Sequence, residues 1–243
     1  MSDLPDRSRR AFLSALPTLT VGLAAPARAA DTPARQPRWG MLVDTRRCIA
    51  CQACTMACAM ENATPEGAFR TVVATYAVSD ADGSTGLSVV PRLCNHCAQP
   101  PCVDVCPVGA TFKHGDGSVL VDGERCVGCA YCVQACPYDA RFINHATGKA
   151  DKCTFCHHRL EAGLLPACVE TCVGGARIFG DLDAHDSEIS RRLKAAGTSL
   201  RVLKPEAGTA PNVFYIGLDD ALTGHVAGVS AADLMWRPDH HGG

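Results

Sequence analysis

The sequence is poor in the bulky side chains that organise most protein interiors: seven Phe, four Tyr and two Trp amount to 5% of 243 residues. An aromatic-rich core is therefore excluded as the main organiser, and something else must help hold the interior together. Charge of neither sign dominates. With 23 Lys and Arg against 25 Asp and Glu the net charge is −2, so there is no basic stripe and no case for nucleic-acid binding. Beyond residue 29 no stretch approaches the roughly 18 to 20 apolar residues of a spanning helix. The mature chain is expected to be soluble, with membrane contact only through a partner. A phosphate-cradling glycine loop and a nucleophile motif are also missing, which speaks against a self-contained enzyme with its own substrate site.

What the chain has in excess is cysteine, sixteen in all. They fall into four groups of four: Cys48, Cys51, Cys54 and Cys58; Cys94, Cys97, Cys102 and Cys106; Cys126, Cys129, Cys132 and Cys136; Cys153, Cys156, Cys168 and Cys172. This is an internal repeat, and its tail recurs as "CPVGATF", "CPYDARF" and, more loosely, "CVGGARIF".

Disulfides, zinc and iron-sulfur clusters are the three chemistries open to such thiols. Disulfides fit poorly, because cysteines separated by only two residues are too crowded for a framework of bridges. Zinc ribbons need two close pairs separated by a longer span. The first and third quartets instead carry three cysteines at intervals of three and a fourth four further on. That is the bacterial ferredoxin spacing: one tight loop offers three thiolates to one 4Fe-4S cube, and the fourth reaches a different cube. Proline follows the fourth cysteine at Cys106 and Cys136, whereas Ala59 and Val173 stand there in the first and last quartets. The second quartet is lengthened by "AQPP" and the fourth by eleven residues that include His157 and His158, both expected to face solvent. All sixteen cysteines are thus the expected ligands of four 4Fe-4S clusters, and no catalytic residue is expected.

The N-terminus reads as a targeting segment. Ser8, Arg9, Arg10, Ala11, Phe12 and Leu13 resemble the twin-arginine pattern, an apolar run spans 12–25, and Ala27 and Ala29 make a small-residue cleavage site. Residues 1–29 are read as a signal peptide, 30–180 as a four-cluster ferredoxin-like domain, and 181–243 as a helix and strand extension packing on the domain and on partner subunits. The twin-arginine route moves folded proteins, so clusters can be inserted in the cytosol before export to the periplasm. Within the domain, hairpins are expected over 109–122, around Gly115-Asp116-Gly117, and over 69–91 around "SDADGSTG". Ile189, Leu193 and Ala196 predict an amphipathic helix over 186–196, and "LRVLK" and "NVFYIGL" predict strands.

The stretches "RCVGCAYCVQACPYDARFINH", "DKCTFCHHRLEAGLLPACVETCVGGARIFGD" and "VLKPEAGTAPNVFYIGLDDA" resemble the iron-sulfur (beta) subunits of tetrathionate reductases. These belong to the four-cluster family serving molybdopterin oxidoreductases such as polysulfide, dimethyl sulfoxide and nitrate reductases. The likeness covers 38–221. It implies an α+β fold of two interleaved bacterial-ferredoxin-like halves, related by a pseudo-twofold and carrying short β-hairpin insertions. It also implies crossed ligation. Cys48, Cys51, Cys54 and Cys172 would hold the cluster nearest a molybdopterin catalytic subunit; Cys153, Cys156, Cys168 and Cys58 the next; Cys94, Cys97, Cys102 and Cys136 the third. Cys126, Cys129, Cys132 and Cys106 would hold the cluster facing a quinol-oxidising integral membrane subunit. In nitrate reductase relatives a tryptophan takes the position of Cys129, so a full cube is expected here. The role implied is a wire: electrons pass from membrane quinol to the partner that reduces tetrathionate to thiosulfate. The alternatives are the same role in a polysulfide, dimethyl sulfoxide or other molybdopterin reductase, or a structural zinc-binding interaction module.

Overall fold

A turn and then a strand follow the cysteine quartets, and that rhythm builds the fold. The computed structural model describes residues 35–79 and 85–218. In chain order these form β1 (Trp39–Asp44), α1 (Ala53–Glu61), β2 (Thr71–Ser79), β3 (Thr85–Leu93), α2 (Pro101–Asp104), β4 (Thr111–Lys113), β5 (Val119–Val121) and α3 (Tyr131–Gln134). Then come β6 (Arg141–Asn144), β7 (Lys149–Lys152), α4 (His157–Glu161), α5 (Ala167–Glu170), β8 (Arg177–Asp181), α6 (Glu188–Ala196), β9 (Leu200–Arg201) and β10 (Val213–Ile216). The mixed helix and strand content is that of an α+β protein. The expected leader, 1–29, lies outside the described residues, as does the end of the chain from 219.

Both expected hairpins form. β4 and β5 pair antiparallel around the Gly115-Asp116-Gly117 turn, where Gly117 takes φ +82°. β2 and β3 pair over nine residues each, from Thr71 opposite Leu93 to Ser79 opposite Thr85; the expected turn at 80–84 lies outside the described residues. A third hairpin, β6–β7, was not anticipated. Its signal is the "HATG" segment, which ends on Gly148 at φ +68°. The repeated tails after Cys106, Cys136 and Cys172 lead into β4, β6 and β8 respectively.

The main sheet has the order β8-β1-β10-β9. β1 runs antiparallel to β8 and parallel to β10, with Met41 opposite Val213 and Leu42 opposite Phe214. Side chains alternate across a strand, and here the two faces have different duties. Leu42, Ile178 and Ile216 pack with Ile189 of α6 on one face. Met41, Val43, Val213 and Tyr215 share the other face's core with Cys54, Cys94, Cys97, Cys153 and Cys168. The helix α6 starts two residues later than expected because Ser187 caps it, accepting a hydrogen bond from Ser190 N at 3.1 Å. Of "LRVLK" only Leu200 and Arg201 pair; Lys204 turns left-handed at φ 47° and Pro205 has no amide to give.

One boundary needs correction. The division at 180/181 falls inside β8, and β10 lies between β1 and β9. Residues 181–218 therefore complete the main sheet instead of forming an extension laid upon it. The reason is that β1 alone would leave an open parallel edge in the middle of an apolar core, and "NVFYIGL" supplies its partner.

Candidate metal centres

The residue just before the second cysteine is left-handed in all four quartets: Ala50 (φ 56°), His96 (φ 42°), Gly128 (φ 73°) and Phe155 (φ 56°). Three of the four are not glycine, so each costs roughly 1 kcal/mol or more in backbone strain. Such a turn directs successive backbone N–H groups to one side, as an anion-binding nest does. Gly128 was the one visible hint. Where its Cβ would be, Gly148 O already stands in contact, so that loop also requires the close approach only glycine permits.

No disulfide joins any two of the sixteen cysteines. The thiols instead surround hollows. One is lined by Cys48, Cys51, Cys54 and Cys172, with Arg177 in its wall. A second is lined by Cys58, Cys153, Cys156 and Cys168. In each, three thiols come from one quartet and the fourth from a quartet far away in sequence. Burial pushes Cys97 up to about 12, with Cys94, Cys136 and Cys102 adding to that rise against a hydrogen bond from Thr209, which marks a third group. Cys126 and Cys132 share a small core with Cys102, Ala110, Val119 and Ala150, and Cys106 packs against it. The helices repeat this pairing: α1 packs on α5 and α2 on α3.

A group rich in sulfur fits these surroundings. A single zinc ion at about 2.3 Å from four thiolates would close such a hollow. The sulfurs are prepared as acceptors: Ala176 N donates to Cys172 Sγ (3.2 Å), Ala150 N to Cys126 Sγ (3.3 Å), Thr111 N to Cys106 Sγ (3.4 Å) and Phe155 N to Cys153 Sγ (3.4 Å). Asn62 Nδ2 lies 3.5 Å from Cys58 Sγ and 3.8 Å from Cys156 Sγ, touching two thiols of one hollow. Several buried donors beside the cysteines, Asn95 Nδ2, His96 Nε2, and Nε and Nη2 of Arg141, have no hydrogen-bond partner among the described residues. Cluster sulfides would supply the acceptors that such donors need. His96 Nδ1 accepts from Val119 N at 3.0 Å, so its proton sits on that orphaned Nε2. Burial holds its pKa well below the usual histidine range.

Buried cations sit where one thiol group meets the next. Arg177 is 3% exposed; it lines the first hollow and places Nη1 3.7 Å from Cys168 Sγ of the second. Lys152 is 1% exposed, with Nζ donating to the carbonyls of Val119 and, at 2.8 Å, Cys153. Burial lowers its pKa, and the Cys94, Cys153 and Cys102 sulfurs oppose that fall. Arg141 is 5% exposed and donates to Thr111 Oγ1 at 3.2 Å. Burial works against its charge, yet Cys102, Cys94 and Cys132 hold its pKa above the ordinary arginine value. None of these three cations was singled out in the sequence, where Arg and Lys in "DARF", "ADKC" and "GARIF" look like ordinary surface charge.

Exposure divides the thiols. Cys51 and Cys129 are the exposed ones, one in the first quartet and one in the third; the thiols of the second hollow are all buried. The exposed large apolar side chains include Ile49, which lines the first hollow with Cys51, and Val127 and Tyr131, which flank Cys129 in sequence; Met56, Met60, Leu87, Val105, Leu164, Leu165 and Val173 are exposed as well. The missing prolines make a visible difference. α1 continues past Cys58 through Ala59 to Glu61, whereas after Cys172 the turn is made by Gly174 and Gly175 (φ 58°). Of the two histidines expected in solvent, His158 is 53% exposed and bonds Glu61 Oε1 at 2.8 Å. His157 departs from that expectation: it is 19% exposed and lies against Asp116 of the β4–β5 turn.

Residues 47–110 and 85–182 each match a 4Fe-4S dicluster domain family. The chain is 56% identical over 96% of its length, and 96% of the relative's, to the tetrathionate reductase B subunit of Salmonella typhimurium. Its identity to the tetrathionate reductase B subunit of Archaeoglobus fulgidus is 45%, over 74% of this chain and 83% of that one. To the thiosulfate reductase electron transfer subunit of Salmonella typhi it is 50%, over 62% and 79%. Two dicluster matches and sixteen cysteines account for four 4Fe-4S clusters. With its thiols grouped around hollows and buried cations at the junctions, the chain belongs to the family of 4Fe-4S electron-transfer subunits of molybdopterin reductases that includes the B subunits of tetrathionate reductases.

Proposed function

We propose that this chain carries electrons from a quinol-oxidising membrane subunit to a molybdopterin subunit reducing tetrathionate to thiosulfate, on the periplasmic side of the membrane. The observation that carries the reading is the crossed grouping of thiols, three from one loop and one from a distant quartet, around separate hollows. It supports ligation by Cys48, Cys51, Cys54 and Cys172; by Cys58, Cys153, Cys156 and Cys168; by Cys94, Cys97, Cys102 and Cys136; and by Cys106, Cys126, Cys129 and Cys132. It also supports two interleaved halves, quartets one and four in one and two and three in the other, with the packing of α1 on α5 and α2 on α3 as their helical counterpart. Bound there, the clusters supply one-electron transfer. The protein's own work is positional: the exposure of Cys51 and Cys129 supports their groups as the two ends of the series, with exposed Ile49 beside the one and Val127 and Tyr131 beside the other in sequence. The Cys51 end is assigned to the catalytic partner and the Cys129 end to the membrane partner. Identity over nearly the whole chain to a relative named for tetrathionate reduction supports the substrate. Purifying the complex anaerobically through this subunit tests the proposal. The expected result is about sixteen irons per chain, molybdenum in equal number to the chain, and tetrathionate-dependent oxidation of quinol. Four zincs and no iron, or co-purification without molybdenum, would refute it.

A further inference from the structure

Beside the fourth quartet, a second set of metal-binding side chains that uses no thiol converges between two segments distant in sequence. His114 and Asp116 belong to the turn of the β4–β5 hairpin, and His157 opens α4. His114 Nδ1 lies 3.1 Å from Asp116 Oδ1, and His157 Nε2 lies 3.4 Å from Asp116 Oδ2. The two imidazoles stand edge to face, their centroids 4.8 Å apart. One donor atom from each of the three residues lies within 4.8 Å of the others.

We infer that His114, Asp116 and His157 form a binding site for one divalent transition-metal ion of the zinc class. Two imidazoles and a carboxylate are the ligand types such ions take, with bonds of about 2.0 to 2.2 Å and a fourth position left to water. Tetrahedral bonds of that length put neighbouring donors about 3.3 to 3.4 Å apart. His157 Nε2 and Asp116 Oδ2 already stand at this separation, and rotation of the half-exposed His114 ring, whose Nδ1 now lies 3.1 Å from the other carboxylate oxygen, completes the set. The supporting contacts are those of a built site. Ser118 N (2.9 Å) and Ser118 Oγ (2.6 Å) both donate to Asp116 Oδ1, which fixes the carboxylate and leaves Oδ2 toward His157. The other ring nitrogen of His157, Nδ1, faces the exposed Glu161, whose Oε1 lies 3.7 Å away, outside hydrogen-bond distance. Asp116 is 6% exposed and His114 41%, so the anionic ligand is sheltered while one side stays open to water.

Such an ion would act as a staple. The hairpin bearing His114 and Asp116 lies between Cys106 and Cys126, and His157 sits in the long insertion of the fourth quartet. Metal there ties that insertion to the other half of the cysteine series without using a thiol.

The test is equilibrium dialysis of the anaerobically purified, iron-loaded full chain against micromolar ZnCl₂, followed by iron and zinc counts. His240 and His241 are changed to Ala throughout, so that the terminal histidine pair cannot contribute. The expected result is one zinc per chain at unchanged iron, falling at least tenfold in His157→Ala and in Asp116→Asn. His114→Ala is the safeguard, because it is half-exposed and stands apart in sequence from any cysteine: it should lose zinc with iron intact even if the other variants assemble poorly. Zinc no higher than in a histidine-free control protein, or the same zinc in His114→Ala as in the parent, overturns the assignment.

Discussion

Replacing Arg177 by methionine should lower the reduction potential of the cluster proposed for the hollow of Cys58, Cys153, Cys156 and Cys168. The guanidinium is buried and fixed: Nη2 donates to Thr71 Oγ1 at 2.8 Å, and Nη1 lies 3.7 Å from Cys168 Sγ. Arginine stays protonated throughout the accessible pH range, so its charge is constant. With a sulfur 3.7 Å away, the added electron of the reduced cluster would be centred about 6 to 7 Å from the cation. At an effective dielectric of about 20 this interaction is worth about 2.5 kcal/mol. A tenfold change in equilibrium, ~1.4 kcal/mol, corresponds to about 59 mV for one electron, so the potential should fall by roughly 100 mV. The sign follows from charge alone, since removing a cation destabilises the more negative, reduced state. The cluster of Cys48, Cys51, Cys54 and Cys172 should fall as well, because Arg177 lines its hollow too. An anaerobic redox titration followed by electron paramagnetic resonance reads both. Arg177→Lys keeps the charge and should recover most of the fall. Unchanged potentials in Arg177→Met with a full iron complement, or equal falls in the Lys and Met variants, would refute the electrostatic argument. If the Met variant fails to assemble, Arg141→Met applies the same reasoning at the junction of the other two groups.

Cys172→Ser should damage the cluster of the first quartet and spare that of Cys153, Cys156 and Cys168, whereas Cys58→Ser should do the reverse. Spectra assigning Cys172→Ser and Cys153→Ser to one and the same cluster would show local rather than crossed ligation. Gly174→Ala drives a Cβ into the carbonyl of Arg47, beside Cys48, and should destabilise the protein by about 1 to 3 kcal/mol; thermal unfolding and iron content measure it, with a wild-type midpoint as the contrary result. Arg9→Lys with Arg10→Lys should hold the subunit in the cytoplasm, as cell fractionation would reveal; unchanged periplasmic recovery, in a strain whose catalytic subunit also lacks a leader, would count against the twin-arginine route.

The cysteine quartets, two of three hairpins and α6 were legible because each is written locally: ligand spacing, a Gly-Asp-Gly turn, an i, i+4, i+7 apolar pattern. The features that give the site its character are not local. Arg177, Lys152 and Arg141 differ from surface cations only in being enclosed by segments that arrive from elsewhere, so nothing in their immediate sequence distinguishes them. The left-handed residues before the second cysteines were hidden for another reason. Ala50, His96 and Phe155 are poor choices for that conformation, and only Gly128 announces it. His157 looked like solvent-facing filler in an insertion until the β4–β5 turn placed Asp116 against it.

The parallel pairing of β1 with β10 sets the order in which this molecule can be finished. Tyr215 on β10 is fully buried and donates its hydroxyl to Pro91 O at 3.0 Å, and Pro91 lines the hollow of Cys48, Cys51, Cys54 and Cys172. A nascent chain that has released every cysteine still lacks this support behind Pro91, because Val213–Ile216 leaves the ribosome later than the sulfur ligands. Iron offered during synthesis therefore meets thiols whose backing sheet is incomplete, where oxidation and misassembly compete with correct loading. Maturation belongs after translation, and neither dicluster segment, 47–110 or 85–182, contains β1 or β10. A shortened electron carrier running from 47 to 182 would keep all sixteen cysteines and lose the paired strands that back them, so an engineered version needs the stretch from Trp39 through Ile216 intact.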